Sequence, residues 1–290
     1  MTRPSTHRRD SEWVRVLRQL VRDRTAVVSF FALCILLFAS LLAPYLGLPD
    51  PNIIDLEHRL AGPGKNGYLL GADEFGRDYL SRLIWGGRIS ITIGFFAVIL
   101  SLGTGLLLGL LTGYLRGVWD LTIMRFIDVL MAFPYILLAI TIVAALGPGL
   151  RNTMIALAVA GVPYYTRIVR GSVLGLMEKE FILAARAVGT PPIRIIVRHI
   201  LPNVIAPMIV AATLDVGWMI MAGAGMSFLG LGAQPPDAEW GLMLSNGSKY
   251  LRAAPHLSIF AGMAISLVVL ALNFIGDGLR DALDPKVQRF

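Results

Sequence analysis

The sequence has few of the groups on which enzymes and metal proteins depend. Its one cysteine, Cys34, lies inside an apolar run and therefore offers neither a disulfide framework nor a metal site. The chain has no Gly-x-x-x-x-Gly-Lys-Ser/Thr loop, no His-Glu-x-x-His and no Gly-x-Ser-x-Gly. It therefore predicts no ATP hydrolysis, metalloprotease or serine hydrolase activity. We expect no catalytic, cofactor-binding or metal-binding residues in this chain.

Charged residues are also scarce. They make up 16% of the sequence, whereas 56% of the residues are hydrophobic. A soluble globule needs more polar surface than this composition supplies. Several apolar runs reach the roughly 20 residues that cross a bilayer as a helix. The composition thus predicts an all-α, polytopic membrane protein, and the net charge of +7 indicates topology rather than nucleic-acid binding.

Six apolar runs predict six transmembrane helices. They cover about residues 26–46, 89–113, 121–146, 152–168, 204–231 and 256–275. Pro134, Pro163 and Pro207 fall inside three of these runs and are tolerable where neighbouring helices satisfy the freed carbonyls. In the second run, Gly105 and Gly109 are spaced for close contact with another helix.

The predicted organisation is an N-terminal arm (1–25), a transmembrane domain (26–280) and a short tail (281–290). Of the 26 Lys and Arg residues, 18 lie in the arm, at Arg116 and Arg125, between Arg167 and Arg198, and from Arg280 to the end of the chain. Because positive charge favours the cytoplasmic side of a membrane, both termini and the polar stretch 171–202 are predicted to be cytoplasmic.

The polar stretch 171–202 interrupts the apolar pattern. Residues from Gly175 to Val188 and from Pro192 to Ile200 read as two short helices, because Gly189 suits the reversal after the first. Leu201-Pro202 is predicted to close the second. Helices this short neither span a bilayer nor bury a core of their own, so they favour a partner protein. An ordinary cytoplasmic loop is the alternative.

Two carboxylates fall inside predicted spans, where ionisable groups are functional candidates by default. Asp128 lies close to Arg125 in the third span, which favours a structural ion pair or a helix-end role. Asp215 lies near mid-depth in the fifth span, beside Trp218. It is expected to face a water-filled path or a polar partner in the bundle.

A charged stretch precedes the second span on the predicted outer side. It runs Gly71-Ala-Asp-Glu-Phe-Gly-Arg-Asp78 and continues to Ser81-Arg82. One interpretation is an interfacial helix with its arginines toward water. The other is a surface on which an outer partner docks, and its candidate residues are Asp73, Arg77, Asp78 and Arg82.

Five stretches together resemble the inner-membrane permease subunits of ABC importers, specifically the second permease of dipeptide, oligopeptide and nickel systems. They occur in the family's order along nearly the whole chain: Gly71 to Asp78 with Ser81-Arg82, Asp128 with Phe133-Pro134, Ala184-Ala185 to Gly189 to Leu201-Pro202, Ser227 to Pro236, and Gly278 to Pro285.

The resemblance implies a type I importer architecture and a role for the polar stretch. In this family the cytoplasmic loop forms coupling helices that sit in a cleft of the ATPase subunits. The corresponding residues here are Leu183, Ala184, Ala185, Gly189, Leu201 and Pro202. Two positions depart from the family pattern: Leu183 stands where Glu is usual, and Gly223 stands where relatives often carry an acidic residue.

The resemblance also implies partners, a location and a mechanism. We expect a homologous second permease, one or two ABC ATPase subunits that hold ATP and Mg, an extracytoplasmic substrate-binding protein, and surrounding membrane lipid of a bacterial plasma membrane. No nucleic-acid partner is expected. Transport would proceed by alternating access.

Peptides are the substrate class that the resemblance favours, with nickel or another small ligand as the alternative. Two functions of other classes stay open. A secondary transporter would be expected to show internal repeats and more intramembrane ionisable groups, and no clear repeat is visible. A membrane scaffold would not need an ordered coupling loop.

Overall fold

The computed structural model describes residues 18–283, and this part of the chain is helical apart from its connecting segments and one isolated bridge between Ala72 and Asp78. The predicted all-α class is confirmed. The helices are α1 Arg24–Leu41, α2 Tyr79–Leu115, α3 Gly117–Met131, α4 Tyr135–Leu146, α5 Leu150–Met177, α6 Glu180–Ala187, α7 Pro192–Ile195, α8 Leu201–Phe228, α9 Trp240–Ser248 and α10 Pro255–Leu283. Most of the predicted N-terminal arm and tail lies outside the described residues.

Four helical segments within residues 18–283 are long and apolar enough to cross a membrane: α1, α2, Pro192–Phe228 and α10. The number rises to five if α3 and α4 form one span, although these two helices are bent by 93° at their break. α5 does not join this group, because Arg167, Arg170 and two tyrosines interrupt its apolar sequence. The six predicted spans therefore stay a prediction.

Several helix ends differ from the sequence interpretation. α2 begins at Tyr79 rather than Ile89, because the carboxylate of Asp78 accepts a hydrogen bond from the Ser81 backbone N–H (2.6 Å) and caps the helix there. The break between α3 and α4 falls at Pro134, which precedes the first residue of α4. α5, by contrast, continues through Pro163.

The second helix of the polar stretch does not close at Leu201-Pro202. Instead, a π-helical turn, Ile196–Ile200, joins α7 directly to α8, so the chain is helical from Pro192 to Phe228. Pro202 lacks a backbone N–H, and the change of hydrogen-bond register in the π turn immediately before it accommodates that loss. The predicted stop is therefore corrected to a continuous helix.

α2 and α5 pack closely along their length, and glycines on α2 permit the approach. A Cβ atom at Gly109 would lie 2.5 Å from Cβ of Val169, and one at Gly113 would lie 2.7 Å from Cβ of Val173. A Cβ atom at Gly105 would overlap Tyr165. The predicted close contact at Gly105 and Gly109 is confirmed.

Candidate coupling segment and membrane cavity

The segment of α6, α7 and their connection follows α5 almost without a break. It is anchored by Ile182 and Ile195, and by Ile200 just beyond it, whose side chains are buried. Its other apolar side chains face outward, with exposed fractions of 51% for Leu183 and 81% for Val188. Further exposed members of this apolar surface are Phe181, Ile193 and Val197. We call this segment, Glu180 to Val197, the coupling segment.

The turn inside the coupling segment is a Schellman motif. The Thr190 N–H donates to the Ala185 carbonyl (3.0 Å), and the Gly189 N–H donates to the Arg186 carbonyl (2.9 Å), which satisfies the last carbonyls of α6. Gly189 has φ +74°, a left-handed conformation that costs an L side chain energy. The sequence therefore needs glycine here for backbone reasons, since no atom lies within 4 Å of where its Cβ would be.

The structure distributes the predicted coupling residues over this segment and the base of α8. Leu183, Ala184 and Gly189 are exposed, and Ala185 is half-buried. Leu201 is half-buried and Pro202 exposed at the first residues of α8. The guanidinium of Arg186 lies over the ring of Tyr114 (5.7 Å to the centroid), which ties the coupling segment to the end of α2.

Two ion pairs join α3 to α5 near the coupling segment. Arg167 donates to Asp128 (2.6 Å), and Arg170 donates to both carboxylate oxygens of Asp120 (2.7 and 2.8 Å). Asp128 thus pairs with an arginine of another helix and not with its sequence neighbour Arg125. Sequence reasoning missed Arg167, Arg170 and Asp120, although a charge inside an apolar span predicts that an opposite charge lies nearby.

A cavity of about 350 Å³ opens between α3, α4, α5 and α8. Asp215 lines it near the middle of α8, and its Oδ2 accepts a hydrogen bond from the Tyr165 hydroxyl (2.8 Å). The rest of the lining includes four aromatic side chains: Phe133, Tyr135, Tyr164 and Trp218. The cavity therefore combines one carboxylate with an otherwise largely apolar wall.

The opposite end of the bundle carries a cap, which we define as residues 42–78 and 229–254. Its centre is Asp73, whose Oδ2 lies 2.6 Å from Nε of Arg77 and 3.3 Å from Nε of Arg82. Arg82 also donates to the backbone carbonyls of Pro51 (2.9 Å) and Asp237 (3.2 Å). Asp73 and Arg82 are each 2% exposed.

The burial of this cluster corrects one interpretation of the charged stretch. Arg77 and Arg82 do not point to water, because they are buried against Asp73. A docking role for Asp73, Arg77, Asp78 and Arg82 stays a prediction. Asp78 has the capping role described above. Elsewhere in the cap, a hydrogen bond from His58 (2.7 Å) lowers the pKa of Asp55 below its ordinary value.

Close packing explains why glycine suits position 223. A Cβ atom there would lie 2.5 Å from Cγ2 of Ile93, so the contact between α8 and α2 leaves no room for an acidic side chain at this position. Among residues 18–283, no group of three or more His, Cys, Asp or Glu side chains is arranged to hold a metal ion.

Comparison with known proteins supplies two family matches. Residues 105–289 match the binding-protein-dependent transport system inner membrane component family, and residues 11–63 match the N-terminal TM domain of oligopeptide transport permease C. The first match covers more than half of the chain.

Individual relatives match along almost their whole length. The chain is 46% identical to the dipeptide transport system permease protein DppC of Alkalihalophilus pseudofirmus, over 96% of this chain and 91% of that protein. It is 44% identical to the glutathione transport system permease protein GsiD of Escherichia coli, over 95% and 90%. A solved structure of the MetNI methionine ABC transporter in an inward-facing conformation matches with a TM-score of 0.58 at 20% identity, covering 71% of this chain and 98% of that chain. At this identity the structure supports the fold alone.

Proposed function

The chain belongs to the family of binding-protein-dependent transport system inner membrane components, and from this premise we propose that it is the permease subunit of an ATP-driven importer of peptides. The relatives that transport dipeptides and glutathione support the substrate class. The observation that carries the coupling role is the exposed apolar surface of the coupling segment. Because α6 follows directly on α5, a long helix packed closely against α2, a movement of this surface would be transmitted to the bundle.

The proposal includes an assembly. A second, homologous permease completes the pathway, one or two ATPase subunits bind ATP and Mg and receive the coupling segment, and an extracytoplasmic binding protein delivers the peptide. The chain itself crosses a bacterial plasma membrane six times, contacts lipid, keeps both termini in the cytoplasm and binds no nucleic acid. The basic residues of the polar stretch support this orientation.

The coupling segment can transmit work only through contacts that differ between two states of the transporter. Shifting the populations of the two states from 1:99 to 99:1 requires that a ligand bind one state about 5.5 kcal/mol more favourably than the other. Large apolar side chains such as Leu183, Val188 and Ile193 supply contacts of this size when they are buried, since burying one contributes about 1.5–3 kcal/mol. Apolar packing therefore takes over at Leu183 from the charged contact that the family's usual Glu would make.

The proposal is tested by purifying the tagged chain in mild detergent and identifying the proteins that remain bound. We expect a homologous permease and ATPase subunits. In a Leu183→Arg variant, ATPase recovery is expected to fall at least tenfold while the chain remains folded. Leu56→Arg is the matched control, because Leu56 is an exposed leucine of the cap (66%).

Two results would contradict the proposal. Wild-type protein that purifies alone or only with itself would favour a secondary transporter or a scaffold. ATPase recovery that Leu183→Arg and Leu56→Arg reduce equally would show that the coupling segment has no special part in the assembly.

A further inference from the structure

We propose that Asp215 binds the amino-terminal ammonium group of the peptide during its passage through the cavity between α3, α4, α5 and α8. The inference rests on the proposed function and assigns a binding residue and a ligand group to it. It also gives the bound peptide a direction, with the amino terminus against α8.

The first observation is that Asp215 has spare capacity to bind a cation. A carboxylate has two oxygens and several acceptor positions. Within residues 18–283, its Oδ2 accepts one hydrogen bond, from Tyr165, whereas Oδ1 accepts none and no Arg, Lys or His forms an ion pair with the carboxylate. A carboxylate at membrane depth with one neutral partner is costly. A cationic ligand would remove that cost.

The other carboxylates on the cavity side of the bundle differ from Asp215. Asp128 is paired with Arg167, and Asp120 is held by both nitrogens of the Arg170 fork. Among residues 18–283, arginines therefore pair with Asp128 and Asp120, whereas no arginine forms an ion pair with Asp215. This difference points to a ligand for Asp215 rather than to a structural ion pair.

The second observation is the aromatic wall around the carboxylate. Trp218 follows Asp215 by one helical turn and lies 6.4 Å from Tyr135, centroid to centroid. Trp218 and Tyr164 are about half exposed, so their faces are available to a ligand. Aromatic faces attract ammonium groups and repel carboxylates, and they also accept apolar side chains. The wall therefore suits the amino end of a peptide and not its carboxyl end.

The cavity volume and its single acid limit the ligand further. A volume of about 350 Å³ lies at the small end of ligand cavities, which suits a short peptide or the first residues of a longer one. A divalent metal ion is a poor fit, because magnesium and calcium need about six oxygen ligands and Asp215 is the one acidic residue in the lining.

The test uses the whole complex in lipid nanodiscs without the binding protein, so that only the membrane subunits select the peptide. The probe is a dipeptide with a free amino terminus and a p-benzoylphenylalanine residue, which on illumination should label Met131 or Met219 of the cavity lining. Ala-Ala and N-acetyl-Ala-Ala then compete with the probe. In wild type, Ala-Ala is expected to compete about ten- to a hundredfold better, the range of a charge-assisted hydrogen bond.

Three variants sharpen the result. In Asp215→Asn, Ala-Ala and N-acetyl-Ala-Ala should compete about equally with the probe. In Asp215→Glu, most of the preference for Ala-Ala should remain. Asp128→Asn is the matched control, since it removes a carboxylate that is already paired, and the wild-type preference should persist. An equal effect of both competitors in wild type, or an unchanged preference in Asp215→Asn, would overturn the inference.

Two further outcomes are distinguishable. If Asp215→Asn releases the second permease from the purified complex while Asp215→Glu retains it, Asp215 pairs with a residue of that subunit and the inference fails. If the complete transporter with its binding protein imports no peptide into proteoliposomes, the proposed function fails and takes the inference with it. If peptide is imported but Ala-Ala and N-acetyl-Ala-Ala compete equally with the probe, the inference about Asp215 fails and the proposed function stands.

Discussion

The cap and the coupling segment differ in which side chains they bury and which they expose. In the cap, charged groups are buried and satisfied from within the chain: Asp73 holds two arginines, and Arg82 also binds two backbone carbonyls. In the coupling segment, apolar groups such as Leu183 and Val188 are exposed, and only a few isoleucines fix it to the bundle.

This contrast shows which groups hold each end of the molecule together, although the cap also exposes apolar side chains such as Tyr45 and Leu69. A buried charge without its partner is strongly destabilising, so the cap must close before the chain is stable. Exposed leucine and valine on short helices gain free energy only when another surface covers them. The buried charges of the cap thus stabilise the fold, whereas the exposed apolar surface of the coupling segment suits contact with another subunit.

Asp73→Ala should break the cap with the largest effect. It removes the carboxylate that lies closest to two nearly buried guanidinium groups, leaving Glu74 at 3.8 Å from Arg77, and we expect a loss of about 3–5 kcal/mol in the free energy of unfolding. Thermal unfolding in detergent measures it. Glu57→Gln, which removes an exposed carboxylate of the cap, should change stability by less than about 0.5 kcal/mol. Equal midpoints for the two variants would show that the buried cluster does not stabilise the cap.

Gly109→Ala tests the support on which the coupling segment rests. The added Cβ would meet Val169, so α2 and α5 must separate, and overpacking of this kind costs about 1–3 kcal/mol. Gly103→Ala on the same helix is the control, because nothing lies within 4 Å of its Cβ position and alanine is the better helix former. Similar stability of the two variants would contradict the close helix contact.

Gly189→Ala separates folding from assembly inside the coupling segment. The left-handed conformation makes alanine unfavourable by about 1–2 kcal/mol, which should loosen the turn after α6 and lower peptide-stimulated ATPase activity of the complex while the thermal midpoint falls only slightly. Gly175→Ala in α5 should leave the activity unchanged and should not lower the thermal midpoint, since Gly175 has neither positive φ nor a close neighbour and alanine is the better helix former. Full coupling in Gly189→Ala would mean that the Schellman turn is not required.

Asp128→Asn should lower stability less than Asp120→Asn. The Asp128–Arg167 pair is nearly half exposed, at 45% and 48% of the two side chains, and one hydrogen bond joins it. Asp120→Asn should cost more, because Arg170 binds that carboxylate with two hydrogen bonds and the pair is less exposed. The reverse order in thermal unfolding would contradict this ranking.

The sequence predicted features that depend on local patterns. The helix reversal at Gly189 and the close approach at Gly105 and Gly109 follow from residue type and spacing. The 93° break at Pro134 was not predicted, because Pro134 and Pro163 were both expected to be tolerated inside a span. The family resemblance, which rests on motifs spread over the chain, predicted the membership that the comparisons show.

Features that depend on distant residues were missed or misread. Arg167 lies 39 positions from Asp128, and periodicity along one helix does not reveal which helix packs beside it. The burial of Arg77 and Arg82 depends on carbonyls from residues 51 and 236–237, which the chain brings together only after folding. A charged stretch next to a span consequently looked exposed when it was internal.

The continuous helix from Pro192 to Phe228 could transmit a movement at one end of the bundle to its middle. Its 37 residues extend about 55 Å at 1.5 Å per residue, from the coupling segment past Asp215 to the cap. A tilt of about 5° around Phe228 would displace Pro192 by about 5 Å and Asp215 by about 2 Å. Because hydrogen bonds weaken within a few tenths of an ångström of stretching, a stroke of this length at one end is enough to release a group held in the middle.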